Sequence, residues 1–244
     1  RAYPAIAIEV QKELGCGGWA FDILVACSSA TFGIMNAANA LRGGTAKTVL
    51  VISPEFVFPQ LNLRDRDSHF IFGDVATAVV VEHQETATAE HCFKLLTTKP
   101  MTTFSNNIRS NFGHVNRCAP ETMFADDKMF VQQGRKVFKE VLPMVCKLIE
   151  EQLDEARVSA GELKRLFLHQ ANINMNTFVA KKILGRDPEE NEAPIILDEF
   201  ANTASAGSII AFHRFHDDMQ AGDKALICSF GAGYSAGCIL IEHL

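Results

Sequence analysis

The chain has 244 residues, 48% of them hydrophobic and 21% charged, with a formal net charge of −6. That composition suits a soluble globular fold with one large core or two smaller ones and excludes a disordered or fibrous chain. The acidic balance argues against a nucleic-acid backbone as the main partner.

The seven cysteines are Cys16, Cys27, Cys92, Cys118, Cys146, Cys228 and Cys238. Their odd number and the lack of a CxxC pair suggest neither a disulfide framework nor a zinc site. Scattered through apolar stretches, they point to a reducing compartment, and we expect the cytoplasm. No apolar run approaches the roughly 20 residues that span a bilayer, so no membrane partner is expected. The sequence opens on Arg1 rather than Met and enters an amphipathic pattern at once, so its natural beginning is expected to lie outside it.

In chain order, residues 3–14 predict a helix closed by Gly15, and Phe21 to Ala26 a short apolar strand. Ser28 to Leu41 predicts a helix rich in Ala, and Thr48 to Ser53 a buried strand, which together give a βαβ unit with a parallel sheet. Ala76 to Glu82 reads as a further strand with Cys92 to Thr97 as its hairpin partner, and residues 98–126 as an irregular connection. A helical period runs from Asp127 to Glu155, and Pro143 inside it predicts a kink or a break. Then follow a strand at Leu166 to Leu168, a helix from about Asn174 to Leu184, a strand at Ile195 and Ile196, a helix from Ser205 to Met219, and strands at Lys224 to Ser229 and Tyr234 to Glu242. This alternation predicts an α/β fold. The turn Phe72-Gly73-Asp74 before one apolar strand echoes Phe230-Gly231-Ala232-Gly233 before another, which suggests a duplicated architecture. The chain divides on this reading into residues 1–97, a connecting region 98–126, and residues 127–244.

Three residues fall where α/β sheets gather chemistry. Cys27 lies at a strand-to-helix turn, where a helix dipole and free N–H groups lower a thiol pKa and can hold an oxyanion. His169 follows a strand at its carboxyl end, and Asn202 precedes a Ser- and Ala-rich helix start. Each also has a plain structural role open to it: a small core residue for Cys27, a partner of backbone groups for His169, an N-cap for Asn202. Together they compose one mechanism, in which Cys27 carries an acyl group while His169 and Asn202 polarise the thioester carbonyl of a second substrate.

The segments FDILVACSSATFGI, HFIFGDVATAVVVE, GRKVFKEVLP, LHQANINMNTFVAKKIL, EFANTASAGS and SFGAGYSAGCILIE occur in that order and cover nearly the whole chain. The sequence resembles on these grounds the β-ketoacyl-(acyl carrier protein) synthase III family of the thiolase superfamily. The resemblance implies a thiolase-like αβαβα sandwich of two similar halves, a homodimer, and Cys27, His169 and Asn202 as the catalytic triad. It implies an oxyanion hole from the backbone N–H groups of Cys27 and Ala232, and acyl-pocket residues Tyr3, Phe200 and Phe230, with Tyr3 reaching across the dimer. An acyl-coenzyme A is then the first substrate and malonyl-acyl carrier protein the second, with no permanently bound cofactor and no metal. Lys181, Lys182 and Arg186 become the docking surface for the acidic carrier, while Asn174 stands where relatives often carry a basic residue. Relatives with the same triad also use other acceptors, or serve as non-catalytic partner subunits; the intact triad argues against the latter.

Overall fold

The computed structural model describes residues 3–110, 120–122 and 128–244. Asp127, Cys118 and much of the expected connection at 98–126 lie outside these residues.

The fold is layered around a four-stranded sheet of order β3-β8-β7-β6, formed by Phe93–Ser105 (β3), Gly233–His243 (β8), Lys224–Gly231 (β7) and Leu163–Leu168 (β6). Helices Gly134–Ala156 (α3) and Ile173–Leu184 (α4) cover one face, burying Val145, Leu148, Ile149 and Val179 against Leu166, Leu226 and Leu240. Helices Ser29–Arg42 (α2) and Gly207–Phe215 (α6) cover the other, where Ile34, Met35 and Ile209 meet Phe167, Ile227 and Ile239. Alternate residues of β7 and β8 thus face opposite cores, as a period of two requires. Beyond α2 lies a two-stranded sheet of Thr48–Glu55 (β1) and Val75–Glu82 (β2). Its inner residues Val49, Val51 and Val79 pack on the α2 cluster, and Leu50, Ile52 and Val80 face outward. The remaining helices are Ile6–Leu14 (α1) and the single turn Leu197–Phe200 (α5).

The helices follow their sequence signals closely. Gly15 closes α1 in the left-handed region at φ 65°, and the Asp22 carboxylate accepts from the first N–H groups of that helix, Ile6 and Ala7, both at 2.9 Å. α3 runs through Pro143 unbroken, its apolar face pressed on the sheet, although Pro143 removes one backbone donor. It starts at Gly134 rather than at residue 127, because Val131–Gln132 (β5) pairs instead with Ile108–Arg109 (β4). α6 stops at Phe215, short of Met219, and Asp218 beyond it forms an ion pair with the buried Arg165.

The strand partners differ more. Residues 21–26 form no strand among the described residues, so the expected βαβ unit with a parallel sheet is absent there. β1 pairs antiparallel with β2, Thr48 opposite Glu82. The run at 92–97 is not a hairpin partner of β2: it continues through the expected irregular region to Ser105 and pairs antiparallel with β8, Phe93 opposite His243. β3 therefore straddles the boundary expected at residue 97. As the edge strand of its sheet it tolerates Pro100, whose missing N–H would break a central ladder. Ile195 and Ile196 form no strand either; the Ile196 N–H donates to the buried Gln170 Oε1 at 3.1 Å, a side chain substituting for a ladder. Among the described residues no helix is long and apolar enough to cross a membrane.

Candidate functional site

Cys27 sits inside a single 3-10 turn, Ala26–Ser28, immediately before α2. The turn is tied to the β7–β8 corner by serines. Ser28 Oγ donates to the Ser235 carbonyl at 3.0 Å, and Ser235 Oγ donates to Ser28 Oγ at 3.0 Å. Gly231 lies flush against the cysteine: a Cβ built there would stand 2.6 Å from Cys27 Cβ and 3.0 Å from its Sγ. Only glycine admits that approach. It brings the Ala232 N–H to the sulfur, so the two backbone donors implied by the resemblance, those of Cys27 and Ala232, both act on the thiol and pull its pKa down. They do not prevail. Part of the Cys27 residue remains accessible, yet burial of the thiol, aided by the Glu55 carboxylate, pushes it up to about 12. The expectation of a lowered thiol pKa is thus corrected: desolvation of the thiolate outweighs the N–H groups at the turn.

His169 follows β6, and its N–H donates to the Cys228 carbonyl at 2.7 Å. The ring meets that of Phe230 edge to face, with centroids 5.1 Å apart. Residue and ring are buried, Nδ1 lacks a hydrogen-bond partner, and desolvation lowers the imidazole to about 4, against a smaller opposing pull from the backbone at Ala204. His169 is therefore neutral near pH 7 and offers one N–H donor.

Asn202 is held by the chain on both sides. Its N–H donates to the Ile71 carbonyl at 2.9 Å, and its carbonyl accepts from the Gly73 N–H at 3.0 Å. Its side-chain Oδ1 accepts from the Ala204 N–H at 3.0 Å, which leaves the amide NH2 as the free end. Asn202 is thus a turn residue rather than the expected N-cap, since Thr203 holds the cap position of the turn that follows. Backbone strain concentrates at these places: Ala26, Ala201 and Ala204 all have positive φ, 45°, 56° and 47°, beside Cys27 and Asn202. A non-glycine residue in that region costs on the order of 1–3 kcal/mol and persists only where packing enforces it.

The other singled-out residues are dispersed. Phe230 is buried against His169. Phe200 packs on the small cluster of Ile196, Ala206 and Ile210, and the Arg214 guanidinium lies 5.7 Å from its ring centroid. Tyr3 is 89% exposed, and this chain alone does not bring it to the site. Lys181, Lys182 and Arg186 are engaged by Asp187, Glu150 and Glu192, at 2.6, 3.7 and 2.7 Å.

Two open clefts meet at Asn172, three residues past His169. One, of about 680 Å³, is mainly apolar and runs between Phe70, Ile71, Ile173 and Ala201. The other, of about 360 Å³, is lined by Arg135, Phe138, Lys139 and Asn174. Arg135 and Lys139 were not singled out from the sequence; their i, i+4 spacing on α3 was the available signal, masked by the many other charged helix positions. Glu55, at the end of β1, was also missed. Its Oε1 accepts from the Ser205 N–H at 3.2 Å and from the Ser205 hydroxyl. Among the described residues no group of three His, Cys, Asp or Glu is arranged to hold a metal.

Comparison with known proteins gives a consistent result. The family model for 3-oxoacyl-[acyl-carrier-protein (ACP)] synthase III matches residues 21–98, and that for its C-terminal part matches residues 153–243. The chain is 53% identical over 242 residues to a beta-ketodecanoyl-[acyl-carrier-protein] synthase of Pseudomonas aeruginosa, covering 99% of this chain and 69% of the relative. It is 31% identical over 251 residues to a beta-ketoacyl-[acyl-carrier-protein] synthase III of Brucella anthropi, covering 98% of this chain and 73% of the relative. The crystal structure of the 3-oxoacyl-[acyl-carrier-protein] synthase III of Aquifex aeolicus superposes with a TM-score of 0.84 at 26% identity, covering 99% of this chain and 73% of that one.

Proposed function

Since the chain belongs to the 3-oxoacyl-[acyl-carrier-protein] synthase III family, with its thiolase fold of two similar halves, and is a condensing acyltransferase, we propose that it joins an acyl primer from coenzyme A to malonyl-acyl carrier protein through an acyl-Cys27 intermediate. In the first half-reaction Cys27 Sγ attacks the acyl thioester carbonyl. The carbon–sulfur bond to coenzyme A breaks, and the cysteine proton leaves with the departing thiol. In the second, the malonyl carboxylate is lost as CO2, and its bonding electrons pass to the thioester oxygen as an enolate. The enolate carbon then attacks the acyl-cysteine carbonyl, and Cys27 is expelled as a thiolate that takes up a proton from solvent to restore the thiol. The N–H groups of Cys27 and Ala232 stabilise the tetrahedral oxyanions.

The observation that carries this reading is the polarity of the two helpers. A neutral His169 supplies an N–H, and Asn202, its oxygen already taken by Ala204, supplies an NH2. Two neutral donors suit an enolate, because they stabilise its charge without protonating the carbon that must react. Coenzyme A enters as a substrate thioester, not as a resident cofactor. The ten-carbon product named for the Pseudomonas relative requires an eight-carbon primer, since malonyl adds two carbons, and a medium-chain acyl-coenzyme A is the primer proposed here. The carrier approaches the cleft of Arg135 and Lys139, whose charges stand beside Asn174. A homodimer is part of the same reading.

Intact-protein mass spectrometry after mixing with acyl-coenzyme A thioesters of two to twelve carbons tests it. An acyl adduct near eight carbons that is lost in Cys27→Ala is expected, together with CO2 release on adding malonyl-acyl carrier protein. His169→Ala and Asn202→Ala should keep the adduct and lose the CO2 step by about 10²-fold or more. An adduct without CO2 release would indicate another acceptor, and no adduct at all would indicate a non-catalytic partner subunit.

A further inference from the structure

Glu55 stands at the end of β1, on the sheet opposite the one that carries His169. Its carboxylate oxygen Oε1 takes both the backbone N–H and the hydroxyl of Ser205. Ser205 is fully buried in the turn Ala204–Ala206, which leads from Asn202 into α6. That turn must be held. Ala201 and Ala204 on either side of Asn202 are both left-handed at φ 56° and 47°, a conformation that relaxes unless its surroundings enforce it. The Ala204 N–H is the group that fixes Asn202 Oδ1, and the backbone at Ala204 also acts on His169.

We propose that Glu55, acting through Ser205, is a positioning residue for the malonyl half-reaction, clamping the strained 201–205 turn so that Asn202 keeps its NH2 directed at the enolate. The proposal rests on the function proposed above. A carboxylate serves better here than a neutral acceptor, because hydrogen bonds to an ionised acceptor are the stronger kind. Burial raises the Glu55 carboxyl above its ordinary value, and those two bonds oppose that rise. The same charge stands near Cys27, where it disfavours the thiolate. Its removal therefore eases acylation rather than hindering it, and a loss confined to the malonyl step has to come from the turn.

The test measures the two half-reactions separately in the complete polypeptide: burst acylation of Cys27 by acyl-coenzyme A, and CO2 release from malonyl-acyl carrier protein. In Glu55→Ala, CO2 release should fall about tenfold or more while acylation is unchanged or faster. Glu55→Gln keeps an oxygen that can accept both Ser205 bonds and should restore most of the lost rate. Ser205→Ala, which keeps the N–H, should lose a few-fold in CO2 release alone, and this variant decides the matter if Glu55→Ala fails to fold. Equal losses in both half-reactions, no loss in either, or a Glu55→Gln as impaired as Glu55→Ala would overturn the clamp. Wild-type protein that forms no acyl adduct would instead overturn the function on which the clamp rests.

Discussion

At the Cys27 sulfur two opposing effects meet, N–H donors that favour a thiolate and burial that forbids one. Burial prevails, with the thiol at about 12, so the thiol rests protonated, and in the proposed mechanism its proton has to leave as the thioester is attacked. The same desolvation acts on His169 in the opposite sense, since for an imidazole the charged form is the protonated one. This gives His169 a signature in stability. An unfolded histidine takes up a proton below about 6.5, whereas folded His169 does so only near 4, so between those values the unfolded state binds more protons. The stability is fully present above about 6.5 and is lost as pH falls towards 4, by roughly 3 kcal/mol in all. Thermal melts of the wild type and His169→Asn across pH 4 to 7 check this: the wild-type Tm should fall more steeply with acid than that of the variant.

Among the elements, β8 shows how closely the layers approach. Gly237 faces α2, and a Cβ there would lie 2.4 Å from Thr31 Oγ1 and 2.9 Å from Thr31 Cβ. Gly237→Ala must push α2 off the sheet, and a loss of about 1–3 kcal/mol is expected, read as a lowered Tm. Because α2 begins one residue after the Cys27 turn, acylation should slow in the same variant. Helices were the legible elements. α1, α2 and α4 announce themselves by apolar period and closing glycines, and α3 by a stripe strong enough to carry Pro143. Strand existence was legible at 48–53, 76–82 and 224–229, but strand partners were not. A run such as FKLLTT has the same local pattern whether it pairs with β2 or with β8, and only the order of the sheet decides.

At the scale of the whole chain, a net charge of −6 would repel the acidic carrier proposed above, so that docking calls for a local cationic surface. Lys181, Lys182 and Arg186 already have carboxylate partners. Arg135 and Lys139 line the cleft that meets the apolar one at Asn172. The double variant Arg135→Glu, Lys139→Glu should raise KM for malonyl-acyl carrier protein about tenfold or more at low salt and leave Cys27 acylation unchanged. Raising ionic strength should narrow the gap, because exposed charges are screened. Steady-state kinetics at two salt concentrations checks both parts.

The amino-acid order alone determined the α/β class and the longer helices, and it singled out Cys27, His169 and Asn202 as candidates, because turn chemistry and apolar period are local properties of the chain. Tertiary structure decided the rest. The thiol pKa, the neutrality of His169 and the free NH2 of Asn202 depend on what surrounds each group, and those surroundings come from residues far apart in sequence. Glu55 shows the difference most clearly: 150 residues separate it from Ser205, and no local pattern links a strand-end glutamate to a serine in a turn. Their contact exists only because β1 and the turn Ala204–Ala206 fold against each other and against the same helix, α2, which long-range packing decides.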